Sequence, residues 1–287
     1  MDIRRLTDSD LPVVRALLDA DPIAAAMLIA RFQMTGVSRS GGDTWGAFRH
    51  GQLLALAHVG GNVTLSGAPE ADAPAATGAA AAALGAHVGA FPRRCVSIVG
   101  PRWLLAEFWP PLAPAWGPPR DLRPEQPLLL TRGLQPGTTS SHAPEPLRVT
   151  IAQPEDVTDL YQPSVDMFTE EVGVSPLRGS TATAYRARIA LLVAHQRLLL
   201  ARDPDGVVFK AEIAAVTAHT CHIQGVWVRP QLRNQGIGTA GMRATVAIAR
   251  RFAPTVSLYV NSYNVPALRA YEHAGFHQVG TLATVYF

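Results

Sequence analysis

A glycine-bearing loop that opens a helix has the strongest chemical signal in this sequence. A strand at residues 225–228 runs into RPQLRNQGIGTAG, residues 229–241, where Gly236 and Gly238 stand at the predicted start of a helix. The first turn of a helix has unpaired N–H groups and a positive dipole end, which can hold a pyrophosphate if glycine lets it approach the backbone. The loop therefore predicts a phosphate-binding site.

The same loop also matches the dinucleotide pattern G-x-G-x-x-G at residues 236–241. A dinucleotide site needs its first glycine directly after the strand and an acidic residue about 20 positions later. Here residues 229–235 intervene, and no Asp or Glu occurs from Ile213 through Tyr271. The stretch instead favours a ligand with several phosphates, because it carries the six arginines Arg229, Arg233, Arg243, Arg250, Arg251 and Arg269. The alternatives are an NADP site and glycines that serve only as turn residues.

Two ordered motifs resemble those of the GNAT superfamily of acetyl-CoA-dependent N-acetyltransferases. RNQGIG, residues 233–238, is similar to the family's Q/R-x-x-G-x-G/A loop, and the preceding VWVRP resembles its V-x-P strand exit. Downstream, LYVNSYNVPALRAYEHAGF, residues 258–276, resembles the family segment N-x-x-A-x-x-x-Y-E-x-x-G-F. The resemblance covers about half of the chain. The overall plan of the chain, a first repeat without the loop and a second repeat with it, is similar to that of actinobacterial tandem GNAT proteins.

The resemblance implies acetyl-CoA as the co-substrate. Pantetheine would pass between the strand that ends at Val228 and the strand at residues 257–260, and the pyrophosphate would lie on backbone N–H groups of residues 233–239. The residues that the resemblance assigns to the cofactor are Val226, Trp227, Val228, Arg233, Asn234, Gln235, Gly236, Ile237, Gly238, Thr239, Asn261, Asn264 and Ala267.

Acyl transfer to an amine makes three chemical demands on the remaining residues. Direct attack on the thioester needs a base for the ammonium, an N–H donor for the oxyanion and an acid for the leaving thiolate. The resemblance places Tyr271 at the position of the acid, and the alternative is that this ring only packs.

The general base has two candidates. His222 lies on the strand before the loop, and strand alternation predicts that it shares a face with Gln224, Val226 and Val228. An imidazole with a pKa near 6.5 suits catalysis at neutral pH, although a structural histidine is equally compatible with the pattern. Glu212 on the preceding strand is the competitor, unless Lys210 on its face simply pairs with it.

Other polar clusters are weaker signals. His219, Cys221 and His222 invite a metal interpretation, but a tight hairpin sends neighbouring side chains to opposite faces and no further ligand pair is evident, so we expect no metal cofactor. Glu170 and Glu171 fall in the region that lines the acceptor groove in the resembled family. They are predicted either to attract a cationic amine or to be a solvated helix end.

The composition indicates a globular chain and excludes a disordered or fibrous protein. The chain has 287 residues, of which 48% are hydrophobic and 16% charged, and this length favours two domains. The Gly/Pro/Ser/Thr-rich segment GLQPGTTSSHAPEP separates two halves that open alike, each with a strand followed by an acidic helix start. We predict an α/β fold of two tandem GNAT-like domains, each a mixed central sheet flanked by helices. The boundaries are 1–135 for a degenerate domain without the loop, 136–146 for a linker and 147–287 for the catalytic domain.

The remaining expectations concern partners and location. A net charge of +3 does not by itself predict nucleic-acid binding, and the weakly apolar stretch 73–92 does not predict a membrane span. Two cysteines without a framework and an N-terminus without an apolar signal core favour a cytoplasmic protein. The predicted function is N-acetylation of a primary amine on a small molecule or a protein. The alternatives are an acyl-CoA-binding regulatory module without turnover and a mycothiol-synthase-like enzyme that acts on a small-molecule amine.

Overall fold

The chain folds into two compact units. The computed structural model describes residues 1–69, 74–133, 147–177 and 181–287. The first unit comprises Met1–Leu128, Tyr259–Ser262 and Gln278–Phe287, and the second comprises Leu129–Leu258 and Tyr263–His277. The predicted linker, 136–146, lies outside the described residues.

The first unit has a mixed sheet with helices packed against it. The strands β1 to β4 are antiparallel neighbours in chain order, and β5 is parallel to β4. The elements are β1 (Asp2–Arg5), α1 (Leu11–Asp19), α2 (Ala26–Thr35), β2 (Asp43–Arg49), β3 (Gln52–Val59), β4 (Val63–Gly67), α3 (Pro74–Gly89), β5 (Ser97–Pro101), α4 (Arg102–Trp116) and the part of β6 (Asp121–Thr131) up to Leu128.

Small residues let α3 lie close to α4. A Cβ atom added at Gly85 would lie 2.1 Å from the carbonyl oxygen of Phe108, so only glycine fits there. The sequence pattern predicts α3 but not α4, because α4 carries Pro110, Pro111 and Pro114 in its interior. The burial of Leu104, Phe108 and Leu112 against α3 and the sheet stabilises α4 despite these prolines.

The second unit repeats the plan of a sheet between helices. The strands β7 to β10 are antiparallel neighbours in chain order, and β11 is parallel to β10. The elements are β7 (Thr150–Ile151), α5 (Val157–Val172), α6 (Thr181–Ala194), β8 (Leu198–Asp203), β9 (Gly206–Val216), β10 (Cys221–Val228), α7 (Ile237–Ala249), β11 (Val256–Tyr259) and α8 (Val265–His273). Side chains of α5 and α6 form one core with β8, and Phe209 of β9 packs beneath Gly241 of α7.

The last strand groups with the first unit. β12 (His277–Tyr286) is antiparallel to β5, with Leu282 opposite Pro101 and Tyr286 opposite Ser97. Thr284 Oγ1 donates a hydrogen bond of 2.5 Å to Gln126 Oε1 in the same unit. This grouping differs from the predicted boundaries, which placed all residues from 147 onward together. Which sheet edge a strand joins depends on partners far away in sequence, so its own residues do not indicate the partner.

None of the described helices combines the length and the hydropathy that crossing a bilayer would require.

Candidate active site

Two parallel strands of the second unit separate after a short contact. β10 and β11 pair only at Cys221 with Val256 and at His222 with Ser257. On its other side β10 stays paired with β9 as far as Val228. Beyond His222, the edge of β10 that faces β11 therefore has backbone groups without a partner among the described strands. This is the gap that the family resemblance predicts between these strands.

A β-bulge interrupts β10 beside this gap. Gln224 is paired with Glu212, and Trp227 is paired with Lys210. The two residues between them on β10, 225 and 226, therefore lie opposite one residue of β9, 211. Gly225 within the bulge has φ +59°, and a Cβ atom there would lie 2.9 Å from Cδ of Glu212. Both the backbone conformation and the close carboxylate require glycine.

The bulge corrects the predicted alternation along β10. Trp227 shares the face of Gln224, because their β9 partners are two residues apart. Val228 is opposite Phe209 and therefore lies on the other face, near Gly238 of α7. The prediction that Val228 shares a face with His222 and Gln224 is wrong, because the extra residue in the bulge reverses the alternation.

The predicted phosphate loop ends at the open first turn of α7. Asn234 and Gly236 have φ values of 62° and 83°, and Gly236 is the N-cap. The N-cap makes no side-chain hydrogen bond, and the first helical bond runs from Ala240 N–H to Gly236 O at 3.0 Å. The N–H groups of residues 237–239 thus have no acceptor within the helix. This is the geometry that the sequence predicts for a phosphate site.

Gly238 is not required by the packing of the protein itself. A Cβ atom there would make ordinary contacts of 3.7 Å with Ala270 and with Val228. Glycine at such a position is typical of a backbone that a ligand must approach closely.

The arginines around the loop are engaged by protein partners. Arg233 Nη2 donates to both carboxylate oxygens of Glu170, at 2.8 and 3.1 Å, and its Nε donates to the carbonyl oxygen of Val228 at 3.1 Å. Arg229 forms two 3.0 Å bonds with Asp203. Arg229 therefore links the end of β10 to Asp203 of β8, and the Arg233 side chain points toward Glu170 of α5.

The remaining predicted cofactor residues lie in two different units. Asn264 is the N-cap of α8, where its Oδ1 accepts a 3.3 Å bond from the N–H of Ala267. Asn261 belongs to the first unit, and its Oδ1 accepts a 2.8 Å bond from Nε2 of Gln126. Trp227, also predicted at the cofactor, is buried in the core formed with α5 and α6.

Glu212 is the centre of a buried ionic cluster. Lys210 Nζ donates to its Oε1 at 2.8 Å and Arg188 Nη2 donates to its Oε2 at 2.8 Å, with Gln224 Nε2 at 3.3 Å. Burial acts to raise the pKa of Glu212, but the charges and hydrogen bonds of Lys210 and Arg188 outweigh it and hold the pKa at about 2. This carboxylate is ionised at neutral pH and is a very weak base.

His222 and Tyr271 are both buried, which makes His222 a weaker base and keeps Tyr271 protonated as a hydrogen-bond donor. Burial lowers the pKa of His222 to about 4, and its Nδ1 lies 3.0 Å from Oγ of Ser257. Burial, with a further effect from the charge of Glu171, raises the pKa of Tyr271. At neutral pH the imidazole is therefore neutral and the phenol is protonated, the form that can donate a hydrogen bond.

Three residues of this arrangement were not selected from the sequence. They are Arg188, Gly225 and Ser257. A glycine inside a strand pattern is a known sign of a bulge, so Gly225 could have been found. Arg188 and Ser257 have no local signal, because only the packing of α6 and the pairing of β11 bring them to Glu212 and His222.

Within the described ranges, no group of three or more His, Cys, Asp and Glu side chains is arranged to hold a metal ion.

Comparison with known proteins identifies the class. Residues 183–276 match the model of the Acetyltransferase (GNAT) family, and residues 42–160 match that of a Domain of unknown function (DUF4081). No curated protein matches the chain. The chain therefore carries a GNAT acetyltransferase domain in its second half, which confirms the family inferred from the two motifs.

Solved structures extend the likeness to the whole chain. A GNAT-family acetyltransferase from Colwellia psychrerythraea aligns with a TM-score of 0.63 at 14% identity, covering 100% of both chains. A GCN5-related N-acetyltransferase from Sphaerobacter thermophilus aligns at 0.59 and 17% identity, covering 99% of this chain and 95% of the other. A tandem GNAT protein from the clavulanic acid biosynthesis pathway aligns at 0.54 and 11% identity, covering 99% and 98%. The α/β fold of tandem GNAT-like domains is confirmed, and these identities support the fold alone.

Proposed function

We propose that the second unit is an N-acetyltransferase that moves the acetyl group of acetyl-CoA to a primary amine of a small molecule or a protein. The observation that carries the proposal is the unpaired edge of β10 beside the open first turn of α7. The amide groups of pantetheine would pair with that edge as an added strand does. The pyrophosphate would accept hydrogen bonds from the N–H groups of residues 237–239. No metal takes part in this scheme.

The reaction is a direct attack within a ternary complex. The amine nitrogen bonds to the thioester carbonyl carbon, the C–S bond breaks, the amine loses one proton and the thiolate gains one. A backbone N–H of the Gly225 bulge is the candidate donor for the oxyanion, because a bulge leaves one residue out of the ladder. Tyr271 is the candidate donor to the thiolate. Its raised pKa means that hydrogen bonding contributes more than full proton transfer.

The base is assigned differently from either sequence candidate. A general base works best with a pKa near the operating pH, whereas the pKa values are about 4 for His222 and about 2 for Glu212. We propose that the amine attacks in its neutral form and releases its proton to water after attack. His222 and Glu212 then position the strands around the gap.

The weak bases also favour a second candidate function. A module that binds acyl-CoA without turnover would need the gap and the loop but no base. Binding alone is compatible with the low pKa values of His222 and Glu212, which argue against general-base catalysis.

Calorimetric titration of acetyl-CoA into the purified protein tests the proposal. We expect about one equivalent to bind, with NADP as the negative control. Gly236→Glu places a carboxylate at the pyrophosphate site and should abolish binding. Gly236→Ala is the matched control, because it carries the strain of the positive φ without the charge and should only weaken binding.

An acceptor screen then separates the two candidates. Release of the CoA thiol that requires an added amine supports the transferase. Binding with only slow hydrolysis across small amines, cysteinyl amines and lysine peptides supports the module. Failure of the wild type to bind acetyl-CoA refutes both.

A further inference from the structure

The first unit contains a cavity of about 750 Å³ that the acyl-transfer scheme does not use. It lies between the loop after α2, the turn from β3 to β4 and the segment that follows α3. Its lining residues include Arg39, Asp43, Trp45, Phe91, Arg94 and Trp116. All of them belong to the first unit. The volume is in the range of small-molecule sites.

One wall of the cavity is aromatic and held in place. The rings of Trp45 and Phe91 stack with their centroids 5.8 Å apart and an interplanar angle of 24°. His87 contacts both rings edge-on, at 4.3 Å and 5.4 Å between centroids. Trp116 Nε1 donates a 3.0 Å hydrogen bond to the carbonyl oxygen of Phe91. This wall offers a flat apolar surface to a planar group.

The polar rim of the cavity has an excess of positive charge. Arg5, Arg39 and Arg94 line it, and Asp43 is the one carboxylate among the described lining residues. Asp43 is already paired with Arg5 at 2.5 Å. Among the described residues, neither Arg39 nor Arg94 has a carboxylate within 4.0 Å. Three guanidinium groups against one carboxylate in the described lining favour an anionic ligand, and the planar geometry of a guanidinium suits a carboxylate or a phosphate.

The loop that carries Arg39 is fixed by its own hydrogen bonds. Asp8 Oδ1 accepts bonds of 2.7 Å from the N–H of Val37 and 3.1 Å from that of Ser38. Arg31 Nη1 donates a 2.8 Å bond to the carbonyl oxygen of Ser40. The backbone of this loop is thus fixed before a ligand arrives, which reduces the entropy that the loop loses on binding.

We propose that this cavity binds a small anionic ligand with a planar aromatic body, an aryl carboxylate or an aryl phosphate. The rings of Trp45 and Phe91 contact the flat body, and Arg39 and Arg94 bind the anionic group. This site is a function of the first unit in addition to acyl transfer.

Calorimetry on the full-length protein tests this assignment with three probes of one shape. They are 2-naphthoate, 2-naphthyl phosphate and the uncharged 2-naphthalenemethanol. We expect at least one of the two anions to bind near one equivalent, and the neutral probe to bind at least tenfold more weakly than that anion. Comparison of the two anions distinguishes a carboxylate source from a phosphate source.

Charge variants identify the cavity as the site. Arg39→Gln and Arg94→Gln should each weaken the binding of the anion at least tenfold, and the double variant should abolish it. Arg49→Gln is the matched control, because Arg49 is an exposed arginine of the same unit outside the cavity lining. Unchanged thermal unfolding verifies that each variant is folded, and Trp45→Leu tests the aromatic wall independently.

Three results would overturn the assignment. They are no binding of either anion by the wild type, equal binding of the neutral probe, and binding that survives in the Arg39/Arg94 double variant. Acetyl-CoA binding is expected to be unchanged in the charge variants, so failure here is distinct from failure of the proposed acyl transfer.

Discussion

Replacement of the buried lysine in the second unit offers the most direct test of the ionic cluster. Lys210 is 0% exposed and Glu212 is 0% exposed, and Nζ lies 2.8 Å from Oε1. Lys210→Met keeps a similar length but removes the charge. Glu212 then retains only Arg188 as a cationic partner, and we expect the free energy of unfolding to fall.

The size of the loss follows from the ionisation of Glu212. Its pKa of about 2, against an ordinary value of 4.5, corresponds to roughly 3 kcal/mol of stability at neutral pH. Breaking a buried pair by removing one partner costs about 3–5 kcal/mol in other proteins. For Lys210→Met we expect a loss at the lower end of this range, about 3 kcal/mol, because Arg188 remains as a partner of Glu212. For a unit of this size that is a fall in Tm of roughly 6–12 °C.

Urea unfolding and thermal unfolding of the intact protein measure this change. Arg233→Met is the matched control, since Arg233 and Glu170 form a 2.8 Å pair whose side chains are 41% and 50% exposed. Exposed pairs contribute about 0–1 kcal/mol, so this variant should remain close to the wild type. Equal losses in the two variants would refute the argument that burial makes the Lys210 pair strong.

The pH dependence supplies an independent check. The folded pKa of Glu212 lies below its ordinary value, so its contribution is complete above about pH 4.5 and is lost as the pH falls toward about 2. The gap in stability between the wild type and Lys210→Met should therefore narrow over this interval. A gap that stays constant from pH 7 to pH 3 would show that Glu212 is not the group responsible.

Three further predictions concern the gap and its catalytic groups. Gly225→Ala should destabilise the protein by about 1–3 kcal/mol, because Ala must adopt φ +59° and its Cβ would lie 2.9 Å from Cδ of Glu212. Tyr271→Phe should lower the kcat of acyl transfer by about 10–100-fold and leave acetyl-CoA binding unchanged, because only the hydrogen bond to the leaving thiolate is lost. The value of kcat/KM should rise with pH up to the pKa of the amine, because the amine attacks in its neutral form. The profile should show no inflection near pH 6.5, because the pKa of His222 is about 4.

Each of these has its own control and counter-result. Gly117→Ala also has a positive φ, +77°, but has no atom within 4 Å of the added Cβ, so it isolates backbone strain from the clash at Gly225. A kcat that is unchanged in Tyr271→Phe would assign the ring to packing against Phe276. An inflection near 6.5 that disappears in His222→Gln would restore His222 as the general base.

The loop before α7 was predictable because its information is local. A helix start needs unpaired N–H groups and residues that tolerate the turn, and both are encoded within residues 233–241. The structure starts α7 at Ile237 with Gly236 as the N-cap, as the spacing indicates. The cap of α8 is equally local, because Asn264 and its partner Ala267 are three residues apart, although the family resemblance assigned both residues to the cofactor.

The faces of β10 were not predictable from alternation alone. The bulge at Gly225 moves Val228 to the opposite face, and its position is set by how β10 meets β9. The same holds for α4, where burial outweighs the prolines, and for β12, which joins β5. In each case the deciding contact lies far away in sequence.

The sequence by itself determined the family, the loop and the helix that follows it, and it named candidate groups for the chemistry, because motifs and caps depend on neighbours a few residues apart. Only the tertiary structure decided the ionisation of those groups. Glu212 is a weak base because α6 brings Arg188 to it and the fold buries its local pair with Lys210, and His222 is neutral because the sheet buries it beside Ser257. Burial and charge pairing are properties of packed neighbours, and packing exists only in the folded chain.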